Sequence, residues 1–177
     1  MQTKYTEYDI QGKGIPKLKH PELLEKYLSQ FANEAVYNSL NKLKKSGTPN
    51  SDAYHPVNSR LAELGTGQVL DLIPTLEKCF PNLVFRISGH FVYGPGDFID
   101  EHTNSNDASN VMYITYATGK SSFSHRFSLE EELIKTEDTI NGLTIRTFYS
   151  DKQSPTYHKV DCKSGYRVSI GLRYAEI

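Results

Sequence analysis

A chain of 177 residues with a formal net charge of −1 is long enough to bury a core. It lacks the basic excess that a protein gripping nucleic acid through phosphates requires. Two cysteines, Cys79 and Cys162, are too few for a disulfide scaffold, and no apolar run reaches the length of a membrane span.

The N-terminal MQTKYTEYDIQGKG has no apolar signal region, so the expectation is a soluble, cytoplasmic protein in a reducing compartment. Leu24, Leu28, Phe31 and Ala35 recur at helical spacing. With Pro21 fitting a first turn and Gly47 a stop, they predict a helix over 21–45. Lys42, Lys44, Lys45 and Arg60 read as a solvated helix end. Residues 46–60 are rich in Ser, Pro, Asn and Asp and predict a loop. Leu61, Leu64, Val69, Leu72, Ile73 and Leu76 predict a second helix over 61–80, which Pro74 must kink or restart.

From Val84 onward the pattern is strands. VFRISGHFVY, DFIDEHTNS, NVMYITYA, SSFSHRFS, GLTIRTFYS, PTYHKV and GYRVSIGLRYAE are rich in β-branched and aromatic residues. Turn signals separate most of them: Gly94-Pro95-Gly96, Gly119-Lys120, Asn141-Gly142 and Ser154-Pro155. The expectation is one domain over 1–177: a helical support region at about 20–80, then a β core at about 84–175. That order points to an α+β, mainly β, architecture with the helices on one face of a sheet sandwich.

Strand alternation sorts the last segment into faces. Val168, Ile170, Leu172 and Tyr174 share the face that should pack under the helices. Arg167, Ser169, Gly171 and Arg173 share the other. Two arginines turned into a jelly-roll interior need an anionic partner. In DFIDEHTNS, alternation puts Asp100, His102 and Asn104 on one side and Ile99, Glu101 and Thr103 on the other. A histidine and an oxygen donor two residues apart can grip one ion. His158 follows on a later strand, with His125 as its competitor, and then Arg167 and Ser169.

The order H-x-N, distal His, R-x-S resembles the iron(II)/2-oxoglutarate-dependent oxygenase superfamily. Tyr93-Gly94-Pro95-Gly96 ahead of His102 is similar to the approach to the first ligand in AlkB-type demethylases, and Arg167-Val168-Ser169-Ile170-Gly171-Leu172-Arg173 to their R-x-N-x-x-x-R. Segment 93–126 resembles compact phage and bacterial prolyl-hydroxylase-like members. The resemblance covers about 84–175. It implies a double-stranded β-helix (jelly roll) with iron(II) on His102, His158 and Asn104. It also implies 2-oxoglutarate held by Arg167 and Ser169, with Tyr93 and Arg173 assisting. The implied activity is hydroxylation of an unactivated C–H bond in a peptide or free amino-acid-like substrate, prolyl-type by default, yielding succinate and carbon dioxide. His102, His158 and Arg167 would carry the catalysis.

The sequence departs from the pattern at Asn104, where an acid is expected. A neutral amide oxygen supplies no charge to the dication; Asp100 as a substitute and a vacant position are the alternatives. Phe91 replaces the asparagine of the AlkB-type pattern, which argues against a nucleobase demethylase. Gly119-Lys120-Ser121 lacks the earlier glycine of a phosphate loop. Cys162 reads as a small buried apolar residue. The rival functions are a non-enzymatic jelly-roll module that binds an anion, an iron-free relative of the oxygenases, and a zinc hydrolase using the same histidines.

Overall fold

The computed structural model describes residues 5–48, 57–104 and 108–177. Its strands form one curled, 11-stranded sheet. In chain order these are β1 (Tyr5–Asp9), β2 (Asn41–Lys45), β3 (Ser59–Glu63), β4 (Leu83–Tyr93), β5 (Phe98–His102), β6 (Ser109–Ala117), β7 (Ser121–Arg126), β8 (Ile134–Glu137), β9 (Gly142–Ser150), β10 (Tyr157–Cys162) and β11 (Arg167–Glu176). The helices are α1 (Pro21–Ser29), α2 (Glu34–Ser39) and α3 (Thr66–Cys79). Strand neighbours run β1-β9-β6-β11-β4-β3-β5-β10-β7-β8, with β2 on the edge of β3.

The sheet folds over at β3. Ala62 and Glu63 pair with β4, while Ser59 and Arg60 pair with β5. The halves β1-β9-β6-β11-β4 and β5-β10-β7-β8 thereby face each other as a double-stranded β-helix. Alternation decides what each half buries. On β6, β9 and β11, Met112, Ile114, Leu143, Ile145, Val168, Ile170 and Leu172 join Leu24, Leu28, Leu72 and Leu76 of the helices in one core. The opposite parity, with Val111, Phe148, Tyr93, Phe123 and Val160, builds a second core between the halves. The helices therefore cover the outer face of one half, and the split predicted for the last strand holds.

Three expectations change. The helix over 21–45 ends early: Asn33 caps a new short helix by accepting from Val36 N at 3.0 Å, Ala35 is exposed, and residues 41–45 extend to pair with β3. Lys42, Lys44 and Lys45 consequently lie on a charged edge strand rather than a helix end, which blocks further pairing, while Arg60 lies on β3 and donates to Asp97 Oδ1 at 2.8 Å. The helix over 61–80 begins at Thr66, because 59–63 is needed as the strand that joins the two halves. It continues through Pro74, which sits on its exposed side. Strands β1 and β8 have no forerunner in the pattern reading. The predicted loop over 46–60 lies partly outside the described residues. Among the described residues, no helix is long and apolar enough to cross a membrane.

Candidate active site

The space between the halves is a cavity of about 590 Å³, within the range usual for small-ligand sites. His102 and His158 stand on adjacent strands and are directly paired across β5 and β10. Their ring centroids are 4.3 Å apart and both rings are buried. His102 Nδ1 donates to the carbonyl of Asp100 at 2.8 Å and His158 Nδ1 to that of Thr156 at 3.0 Å. A carbonyl only accepts, so each Nδ1 carries the proton and each Nε2 keeps a lone pair. Burial first, and for His158 the neighbouring His102 as well, holds both rings below the ordinary histidine pKa and hence neutral. Phe123 stacks on His158 at 5.5 Å and fixes its plane.

Asn104 reaches the same place. Its Nδ2 donates to His158 Nε2 at 3.2 Å and to the hydroxyl of Tyr113 at 3.0 Å. The Tyr113 hydroxyl lies 3.3 Å from the same histidine nitrogen. Asp100 does not join them. The pairing of β5 with β10 steps from His158–His102 to Val160–Ile99, so β5 carries one extra residue. Such a bulge reverses the alternation: Ile99, not Asp100, shares the cavity with His102, and Asp100 Oδ1 accepts from Glu101 N. Among the described residues, no group of three His, Cys, Asp or Glu is placed to hold a metal. His125 sits opposite His158 on β7 but outside the cavity lining.

Arg167 is 1% exposed and projects from β11 into the cavity. Its Nε donates to Asp138 Oδ2 at 2.8 Å, its guanidinium lies 5.1 Å from the ring of Tyr93, and its Nη1 is buried without an acceptor among the described residues. Ser169, two residues on, also lines the cavity and accepts from Thr115 Oγ1 at 3.4 Å. Arg173 lines the cavity too, but it is not beside Arg167; it donates to Ser109 Oγ at 2.7 Å and to the Asn104 carbonyl at 2.6 Å. Its bonds place it at the end of the cavity that carries Asn104. Lys45, Arg86, Arg167 and Arg173 are the charged residues among the described lining, and no carboxylate is among them.

Three residues here escaped the sequence reading. Tyr113 could have been found by alternation along β6, which sets it opposite Met112 and Ile114. Gly171 makes room for it, since a Cβ there would meet Tyr113 Cε1 at 3.0 Å. Asp138 and Arg146 had no signal: nothing in EDTING or LTIRTF marks a charge as buried. Burial alone would push the Asp138 carboxyl up, but Arg167, Arg146 and the Ser121 hydroxyl outweigh it and hold it well below the usual carboxylate range. Cys162 is a buried free thiol, and burial pushes it up to about 11, as an inert packing residue requires.

No protein-family model matches the chain, and no curated protein sequence does. Solved structures do resemble it in chain trace. A prolyl hydroxylase from Trichoplax adhaerens, in complex with a hypoxia inducible factor peptide fragment, superposes with a TM-score of 0.45 at 16% identity, over 92% of this chain and 82% of that one. The Drosophila melanogaster CENP-C cupin domain gives 0.38 at 10% identity, over 89% and 99%. A predicted oxalate decarboxylase from Thermotoga maritima gives 0.35 at 9%, over 80% and 96%.

Proposed function

We propose that the chain is an iron(II)- and 2-oxoglutarate-dependent oxygenase. One observation carries the reading: a single cavity without carboxylates among its described lining residues contains two histidines whose protonated Nδ1 leaves Nε2 as the lone-pair nitrogen, that of His158 accepting from Asn104, and also a buried arginine nitrogen lacking an acceptor among the described residues. The donor set fits a divalent iron. His102 and His158 would hold it through Nε2, each ring oriented by its own backbone carbonyl. Asn104 would add its amide oxygen after a half-turn that exchanges Oδ1 for Nδ2. Iron(II) with 2-oxoglutarate supplies oxidation by dioxygen, one oxygen atom ending in succinate as carbon dioxide leaves and the other in a substrate C–H bond.

The chain's own residues orient and shield. Arg167 offers a charged fork to the far carboxylate of the co-substrate. Ser169 and Tyr93 supply hydroxyls along the same wall. Tyr113 holds Asn104 and His158 in register, and Phe123 keeps water from the histidine plane. The substrate class stays at a peptidyl or free amino-acid-like molecule. Nucleic acid is disfavoured by the near-zero net charge.

Anaerobic addition of iron(II) and 2-oxoglutarate tests the reading. The expected result is a visible charge-transfer absorption, weakened on the order of a hundredfold in co-substrate affinity by Arg167→Gln, the loss typical of a truncated buried charge pair. The missing acid favours one alternative, a module that binds an anion without iron. Dicarboxylate binding with no absorption at any iron concentration would establish that alternative and overturn the oxygenase.

A further inference from the structure

Arg146 and Asp138 lie behind the cavity wall and have no part in the chemistry above. Arg146, on β9, is fully buried, and each of its nitrogens is used: Nη1 donates to Asp138 Oδ1 at 2.5 Å, Nη2 to Thr136 O at 3.0 Å and Nε to Thr136 Oγ1 at 2.9 Å. Its cation also lies 5.0 Å from the ring of Phe123. The second oxygen of Asp138 accepts from Arg167 Nε at 2.8 Å and from Ser121 Oγ at 2.6 Å. Two guanidiniums thus share one carboxylate, and the buried cluster carries one positive charge in excess.

Burying an excess charge is costly, so its persistence asks for a counter-ion. The cluster opens to the cavity at Arg167, whose Nη1 is the buried nitrogen without an acceptor among the described residues. Were Arg167 and Asp138 alone together, they would form a neutral pair with little attraction left for a ligand. We propose that Arg146 is a positioning residue that sets the charge of the anion seat: it neutralises Asp138, so that Asp138 aims Arg167 without cancelling it. The inference rests on the reading of Arg167 as the seat of the far carboxylate of a dicarboxylate. It adds that the strength of this seat is governed by a residue that never touches the ligand.

The test is calorimetric titration of the full chain, free of metal, with glutarate, a dicarboxylate that lacks the keto group needed for chelation. Arg146→Gln keeps a side chain able to bond Thr136 but brings the cluster to zero. Its affinity should fall on the order of tenfold, the effect of one unit charge acting past a carboxylate at the effective dielectric of a protein interior. Arg146→Lys keeps the charge without the fork, and the double variant D138N/R146Q restores the excess of one. Both should bind within about threefold of the parent, although all three variants are less stable. Parent-like binding by Arg146→Gln, or binding by the other two as weak as that of Arg146→Gln, overturns the proposal. If Arg146→Gln is too unstable to titrate, loss of binding in the lysine or the double variant overturns it alone. Arg167→Gln separates the two levels: unchanged glutarate affinity in that variant sinks the seat itself, whereas lost affinity with a parent-like Arg146→Gln sinks the role of Arg146 only.

Discussion

Replacing Asp138 with Asn should destabilise the protein more than almost any other single polar change. The carboxylate is fully buried, and it compensates guanidiniums that are 0% and 1% exposed. Asparagine can still accept one hydrogen bond, but it removes the charge and leaves both arginines in the interior without a counter-ion. Breaking a buried ion pair from one side costs about 3–5 kcal/mol. For a domain of this length each kcal/mol corresponds to about 2–4 °C, so the melting temperature should fall by about 6–20 °C. Differential scanning calorimetry at pH 7 measures this directly. The sign with pH follows from the depressed carboxyl: the stability it confers is complete above the ordinary carboxylate range and is lost only as pH falls through its lower folded-state value. The difference between parent and variant should therefore shrink in strong acid. A variant melting within a degree or two of the parent at pH 7 would show that the two arginines are not buried together, and the anion seat would fall with them.

Gly171→Ala should cost about 1–3 kcal/mol by overpacking, because the new methyl meets Tyr113 Cε1 at 3.0 Å and Ser88 Oγ at 3.1 Å; calorimetry checks the stability, and an anaerobic iron titration should show weaker metal binding as Tyr113 shifts. Asn104→Asp adds the missing charge beside His158 and should tighten iron(II) at least on the order of tenfold, measured by competition with a chromogenic chelator; an unchanged affinity would place that side chain away from the metal. The two buried histidines have lowered folded-state pKa values, so the unfolded chain binds protons that the folded one refuses. Metal-free stability should be full above about pH 6.5 and decline below it by up to about 2.7 kcal/mol per pH unit for two such groups; denaturant melts at pH 7, 6 and 5 that coincide would contradict their burial as neutral rings.

Much of the site was legible because its residues lie on strands with an undisturbed two-residue period. The face of β11 that carries Arg167 and Ser169 follows from alternation, and the apolar face beneath the helices follows with it. The same rule failed on β5, three strands along the sheet. It placed Asp100 with His102, and one extra residue in β5 puts Ile99 there instead. A bulge is a property of a strand and its partner together, so one strand's sequence contains no sign of it. Arg173 shows a different limit: alternation found its face correctly, but six residues along a strand carry it to the Asn104 end, where its bonds are made.

By itself the sequence determined local preference: which segments extend, where turns fall, which face of each strand is apolar, and which chemical groups are available. The tertiary structure alone decided that two imidazoles far apart in the chain would become cross-strand neighbours. It also decided that 59–63 would bridge the two halves, and that Asp138 would sit between two arginines. The reason is that period and propensity act over a few residues, whereas pairing across a sheet and the charge balance of a buried cluster depend on which distant segments meet.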